Sequence, residues 1–385
     1  MTKSQKYIIA THNRVYGIPN ALRDYLIEKK IDTVVFIAHP LDKVSGDSFI
    51  EIYKYGKKAK QVRLKRTPEL GVLNFVIDTL LTIYWTYTLL PKTDVYIGNN
   101  NLNTFSGIIL KLFNKTRKTI YYSVDFSLSR FGNTFLNKIY HWIEVFCVKN
   151  SDEVWVVSKA IPIAREKFLG LSEKKYEQKI VPTGVWNHKV KAKDIKEINT
   201  HQLFFVGHII EKQGLQIVIQ AIPNIIKQIR DFKFIIVGDG DYLPVLKDMS
   251  KKLKVTDHIE FKGIVPKQEE MYDIMTSSAV GIAPYKPERD KTKNFTYFGD
   301  PGKIKDYLNA SLPVIMTNVS HNAKELEKDG CAIIVPYTSN DISKAVSKIM
   351  SNINSLKKFR SNALLKAKDF DWHRIFDTAL SQDLS

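Results

Sequence analysis

The sequence predicts an α/β protein of two domains, each a doubly wound sheet of mainly parallel strands. Three observations lead there. The chain has 385 residues, more than one ordinary hydrophobic core organises. In both halves, short apolar runs bounded by turn residues alternate with amphipathic stretches, which is the pattern of βαβ units. Apolar residues make up 44% and charged residues 25% of the chain, so it is globular and not disordered.

In the first half, Tyr7–Ala10 reads as a strand and Thr11–Gly17 as the loop leaving its end. A helix over Pro19–Glu28 follows, with Leu22, Tyr25 and Leu26 on one face, then a second strand over Thr33–Ala38. Residues 54–66 hold Lys54, Lys57, Lys58, Lys60, Arg63, Lys65 and Arg66. Directly after them, residues 70–90 are rich in Leu, Ile, Tyr and Trp but carry Asn74, Asp78 and several threonines, which argues against a membrane-spanning helix. Two readings of residues 54–90 stand: a peripheral membrane contact with Tyr84, Trp85 and Tyr87 at the interface, or a core helix flanked by solvated lysines. Strands over Asp94–Gly98 and Lys118–Val124 bracket an apolar helix over Phe105–Phe113, and Asp125 falls in the loop after the second strand. Tyr140–Cys147 is an amphipathic helix, and the polar stretch 187–200 reads as a linker.

The second half opens with a strand over Leu203–Gly207 and repeats the pattern at Phe234–Gly240, His258–Gly263 and Val280–Tyr285. Residues 300–316 are the most informative. Pro301 and Gly302 sit where a helix begins, a position that tolerates proline. Ile304, Tyr307 and Leu308 give that helix an apolar face, while Lys303 and Asp306 share another. A short apolar strand over Leu312–Met316 follows. A glycine-bearing helix start is an anion site, and a carboxylate one turn further in can accept hydrogen bonds from sugar hydroxyls. The same residues also fit an ordinary turn with a solvated lysine and aspartate; a glycine turn alone is weak evidence.

The segment resembles the nucleotide-sugar motif of retaining glycosyltransferases with the GT-B architecture, family 4 (glycosyl transferases group 1), which reads P-x-K-x-x-E-Y-L-A-x-G-x-P-V-I. Ser151–Ser158, Ile180–Val185, Phe234–Gly240, His258–Gly263 and Val280–Tyr285 also resemble family segments, in the family's order. The resemblance implies two Rossmann-like domains facing across a cleft: residues 1–190 on the acceptor side, 200–365 on the nucleotide-sugar side, and 366–385 a terminal helix crossing back. It implies that Asp306 holds the donor ribose, and that Gly207, His208, Lys212, Gly238, Gly302 and Lys303 line the donor site. It also makes Gly17 a close-approach position and Asp125 a candidate for catalysis or acceptor orientation; a turn glycine and a capping aspartate are the alternatives. The chain departs from the family in two places. In Gly207–Gly214, His208 stands at the arginine position and Gln213 at the lysine position, with Lys212 one residue early. In the E-x7-E motif, Phe298 occupies the first glutamate position, and Asp300 is the nearest carboxylate and the second catalytic candidate. Residues 286–300 read as a loop over the donor.

The formal net charge is +18, from 58 Lys and Arg against 40 Asp and Glu. About 29 basic and 16 acidic residues lie in 1–190, roughly +13. Such an excess suits anionic membranes, phosphorylated substrates or nucleic acid, the last being the least favoured partner here, and a generally lysine-rich protein is the plain alternative. Cys147 and Cys331 lie far apart, with no pattern for a disulfide framework or a zinc site. The N-terminus runs into a strand without a leader pattern, so the expected location is cytoplasmic, at the inner face of the plasma membrane. The expected activity is transfer of a sugar from a UDP- or GDP-linked donor to a hydroxyl of a glycan or lipid-linked acceptor, without a metal or resident cofactor. Two other classes remain open at this point: a non-catalytic anionic-surface or nucleic-acid binder on a degenerate scaffold, and a sugar-nucleotide epimerase.

Overall fold

The computed structural model describes residues 5–13, 16–41, 46–65, 72–172, 176, 178–288 and 295–381. The chain divides into two compact units, Met1–Pro182 with Trp372–Ser385, and Thr183–Asp371.

The first unit runs β1 (Lys6–Asn13), α1 (Ile18–Glu28), β2 (Thr33–Pro40), β3 (Asp47–Lys54), β4 (Lys57–Lys65), α2 (Leu73–Leu89), β5 (Thr93–Asn99), α3 (Asn100–Leu112), β6 (Thr116–Ser123), α4 (Thr134–Asn150), β7 (Glu153–Val156), α5 (Ala160–Leu169) and β8 (Gln178–Ile180). The eight strands lie in the order β4-β3-β2-β1-β5-β6-β7-β8. β2 is buried along its whole length, as a strand covered on both faces must be. β3 and β4 form an antiparallel hairpin that the sequence reading did not anticipate. Its turn is Tyr55-Gly56, both with positive φ, the geometry that fits a right-twisted hairpin. The basic run is therefore largely an edge strand, whose exposed lysines discourage pairing with another chain; Arg66 lies outside the described residues. α2 packs its Leu81, Trp85 and Leu89 on Ile8, Val35, Ile37 and Ile50 of the sheet. Trp85 is thus a core residue, while Tyr84 and Tyr87 are exposed.

On the other flank, the carboxylate of Glu144 accepts from Arg165 Nε at 2.8 Å and from the Tyr121 hydroxyl at 2.5 Å, all three buried. The terminal helix (Trp372–Ala379) packs on α1, with the Tyr25 hydroxyl donating to Asp377 and Lys29 paired with the same carboxylate at 2.7 Å.

The second unit runs β9 (Gln202–Val206), α6 (Leu215–Ile225), β10 (Lys233–Val237), α7 (Leu243–Lys252), β11 (Ile259–Gly263), α8 (Gln268–Thr276), β12 (Val280–Ala283), α9 (Phe295–Phe298), α10 (Gly302–Asn309), β13 (Val314–Met316), α11 (Ala323–Lys328), β14 (Ala332–Ile334), α12 (Ser339–Met350) and α13 (Ile353–Ala367). Its six strands are all parallel, in the order β11-β10-β9-β12-β13-β14. Residues 187–200 pack on this unit: Asn199 N donates to Ser277 O at 2.9 Å, and the buried Arg360 guanidinium donates to Lys193 O at 3.2 Å. Among the described residues, no helix is long and apolar enough to cross a membrane.

Candidate functional site

In the second sheet the chain works outward from β9 to β11, then returns to β9 and continues through β12 in the other direction. Ligands of open parallel sheets bind at such a reversal, beyond the C-terminal strand ends. Two glycines shape that rim. Gly207 follows β9 with φ +143° and Gly238 follows β10 with φ +135°, both in the region glycine favours. A Cβ on Gly238 would lie 2.0 Å from the Gly207 carbonyl oxygen, so only glycine lets the two loops touch. A Cβ on Gly207 would lie 3.1 Å from Lys303 Nζ, so a side chain there would crowd that ammonium.

Lys303 is the centre of the site. It comes from the first turn of α10, after Pro301 in the N-cap position and Gly302. Its Nζ donates to Gln213 Oε1 at 2.6 Å and sits 4.2 Å from the centroid of the Phe205 ring and 5.4 Å from that of Tyr285. A helical turn over Glu211–Gln213 delivers the buried Gln213. Burial pushes the Lys303 ammonium down to about 7. An ammonium short of a counter-charge, beside the free N–H groups of a helix start, is a receptor for a phosphate or diphosphate.

Asp306 lies one turn further along α10, half-buried. It makes no hydrogen bond or ion pair with any described residue. Burial raises its carboxyl to about 7, with the charge of Lys305 pulling the other way. The Tyr272 hydroxyl, which accepts from Gln268 Nε2 at 2.6 Å, is close enough to feel the carboxylate's charge. A carboxylate in that state lacks donors, and two neighbouring hydroxyls would supply them.

The structure brings Gly207, Gly238, Gly302, Lys303 and Asp306 to this rim and arranges the other candidates differently. His208 is exposed and uses Nδ1 on Asp239 O at 3.0 Å. Lys212 is on the surface, 3.5 Å from Glu288. Asp300 is buried: its Oδ2 accepts from Thr183 N at 2.8 Å and its Oδ1 pairs with the equally buried Lys305. Both oxygens are spent inside the unit, so Asp300 fastens residue 183 to the start of α10 and is not presented to a substrate. Burial works against the Lys305 ammonium, and the Asp300 carboxylate on it works for it. Removing one partner leaves the other charge buried and alone. Lys305→Ala should therefore lower the unfolding free energy in a urea titration by about 3–5 kcal/mol; a loss below about 1 kcal/mol would show that the pair does not hold the unit together. Phe298 is buried against Tyr297, so no polar group stands at that position. The loop residues Arg289, Lys291 and Lys293 lie outside the described residues.

In the first unit, Gly17 is the N-cap of α1 with extended backbone (φ −156°), its N–H donating to Asn20 Oδ1 at 3.0 Å, so no positive φ requires glycine there. Asp125 follows β6 and faces Arg130 at 3.4 Å, with 42% of its side chain exposed. The sequence reading missed a buried network at the C-terminal ends of β1 and β2. Asp78 of α2 meets His12 Nε2 at 3.2 Å and His39 Nδ1 at 3.4 Å, while Asn103 Nδ2 lies 3.0 Å from His12 Nδ1. An amide N–H can only donate, so His12 Nδ1 accepts and its Nε2–H points at Asp78. The only sequence signal was Asp78 itself, a carboxylate in an apolar helix.

Residues 200–352 match the model of the family described as glycosyl transferases group 1. Over 112 residues the chain is 26% identical to alpha-monoglucosyldiacylglycerol synthase of Streptococcus pneumoniae, a stretch that is 26% of this chain and 25% of that protein. Matches to curated relatives cover between 20% and 49% of those proteins' own lengths. Among solved structures, sucrose-phosphate synthase from Thermosynechococcus elongatus superposes with a TM-score of 0.72 at 14% identity, over 99% of both chains. HepE of Anabaena, solved with UDP, gives 0.68 at 13% identity over 98% of this chain and 99% of that one. The second unit is thus a glycosyl transferases group 1 domain, in a chain with the GT-B fold of the glycosyltransferases.

Proposed function

We propose that the protein transfers a sugar from a UDP-linked donor to a hydroxyl of a lipid-linked or glycan acceptor, with retention at the anomeric carbon. One observation carries the reading: Lys303 fills the space left by Gly207 at the sheet reversal, with an unpartnered Asp306 one helical turn away. The ammonium and the first N–H groups of α10 would meet the charge that grows on the leaving diphosphate, the metal-independent way of stabilising that transition state. Asp306 would take the ribose hydroxyls. The base is proposed as uracil because the HepE and pneumococcal GtfA structures are complexes with UDP. The acceptor class is proposed from the pneumococcal diacylglycerol glycoside synthase and from the apolar, basic first unit. Cell-surface glycolipid or polysaccharide synthesis at the inner face of the plasma membrane is the setting that fits these parts.

The test is UDP release from UDP-glucose and UDP-N-acetylglucosamine in the presence of membrane lipid extract, with GDP-linked sugars as controls. The expected result is acceptor-dependent UDP release and an α-linked product in the anomeric coupling of its NMR spectrum. Binding of UDP without turnover on any acceptor would favour the degenerate-scaffold reading, and interconversion of the free sugar nucleotide would favour the epimerase.

A further inference from the structure

We propose that α2, α3 and α4 of the first unit form a docking face for an anionic phospholipid bilayer, with a groove that admits an acyl chain. The observation behind it is that α2 buries most of its polar residues and turns most of its apolar ones outward. Its buried residues are Asn74, Asp78, Thr82, Trp85 and Thr86, of which Asp78 and Thr82 meet His12 and His39. Its exposed residues are Leu73, Val76, Ile77, Leu80, Tyr84, Tyr87 and Thr88, and the six apolar ones recur at three- and four-residue spacing and so form one outward face. An isolated exposed leucine needs no explanation, but a continuous apolar face does.

That face borders a cavity of about 300 Å³, at the low end for pockets that hold small molecules. It is lined by Val76 and Leu80 of α2, Leu102 and Phe105 of α3, and Leu136 and Ile139 of α4. Phe131 closes one end, 6.1 Å from Phe75 and 6.0 Å from Tyr140 between ring centroids. The Thr79 hydroxyl donates to Phe75 O at 2.8 Å and is satisfied, so the lining asks for no polar ligand there. Phe113 at the end of α3 and Phe135 and Trp142 of α4 are each at least 59% exposed.

Charge selects the occupant. The three helices carry two carboxylates, Asp78 and Glu144, and both are buried. Their other charged side chains are Lys111, which is paired with Asp152, and Lys138 and Lys149. Lys115 adds its ammonium at the Tyr87 ring, 4.9 Å from the centroid. On the sheet edge beside α2, Lys60 lies opposite Ile52, and Val62 of the same strand packs against the α2 cluster. Apolar side chains, exposed aromatics and a rim in which lysines outnumber carboxylates match a leaflet of anionic lipid, which takes apolar groups below and cations at its headgroups. The proposal uses the first unit alone. It deepens the lipid-linked acceptor reading, but its test contains neither nucleotide nor sugar, so the two can fail separately.

The experiment is co-sedimentation with phosphatidylcholine vesicles made with and without phosphatidylglycerol. Wild type should bind the anionic vesicles on the order of tenfold more tightly than the neutral ones, and lose that preference in high salt. A double variant, Leu80→Asp with Phe135→Asp, should lose on the order of tenfold in binding while keeping its circular dichroism spectrum. Trp142 supplies a second readout, since Trp85, Trp155, Trp186 and Trp372 are all buried. Its emission should shift to the blue on adding anionic vesicles. Equal binding by the double variant, or no binding to either vesicle, would overturn the proposal. So would a dimer in light scattering that the double variant abolishes, which would give the face to a second copy of the chain.

Discussion

Asp306→Asn should abolish the response to UDP while making the unliganded protein slightly more stable. The first half follows from what the carboxylate lacks. It has no partner among the described residues, so donors from a bound ribose would be its first. A hydrogen bond to a charged group is worth roughly 1.5–3 kcal/mol, so losing two weakens nucleotide binding on the order of a hundredfold or more. In a thermal-shift measurement, ligand at a hundred times its dissociation constant adds about 2.7 kcal/mol to stability, and the variant should show none of it. The second half comes from linkage. The carboxyl is raised from 3.8 to about 7, so between those values the folded chain holds a proton that the unfolded chain has lost. Stability from this group therefore falls as pH rises through that window, and its full penalty is present above about pH 7. The amide carries no such penalty. The gap in midpoint between variant and wild type should open from pH 4 to pH 7. A variant that still responds to UDP, or that loses stability at pH 7.5, would remove Asp306 from the donor site and make it a structural residue.

Much of this site was visible in one short stretch of sequence. The three-residue spacing of Lys303 and Asp306, and the apolar Ile304, Tyr307 and Leu308, define the faces of α10 before any coordinate is known. What sequence order could not show was pairing at a distance. Gln213 and Lys303 lie 90 positions apart, and nothing local marks them as partners. Asp300 was a candidate for chemistry because it is the carboxylate nearest the first glutamate position of the family motif; only its burial against Lys305 shows that the two neutralise each other. Periodicity failed in a more instructive way at α2. Apolar spacing does not show which face of a helix points inward, and here the inward face carries Asp78, which meets His12 and His39, as well as Trp85 of the core. The hairpin of β3 and β4 was hidden by its composition: a run of lysines looks like a solvated strip until the antiparallel register is seen.

Lys303 should give donor binding its dependence on pH. In the free protein its ammonium is pushed from 10.5 down to about 7 by burial. A diphosphate set against Nζ favours the charged form and raises that value again. Binding above pH 7 must then take up a proton, and affinity should fall by up to about tenfold per pH unit until the bound-state value is passed. The nucleotide does not cause this limb, since a phosphate's second ionisation lies near pH 6 and is complete by then. Calorimetry at pH 8 in two buffers of different ionisation enthalpy should report uptake of close to one proton per UDP. Lys303→Met should show no uptake, a flat affinity from pH 7 to 9, and turnover lower by on the order of 10²–10³, the loss typical of removing one group aimed at transition-state charge. Arginine is not expected to restore it. Its planar fork is larger than the space between Gly207, Gln213 and the Phe205 ring, where Nζ already has 3.1 Å to the position of a Cβ. The same shift has a consequence without ligand: from pH 7 towards 10.5 the unfolded chain still holds the proton that the folded one has released, so this lysine's contribution to stability rises with pH. Wild-type affinity that does not change between pH 7 and 9 would mean that Lys303 is charged before the donor arrives. In that case the Gly207 contact would position a permanent cation.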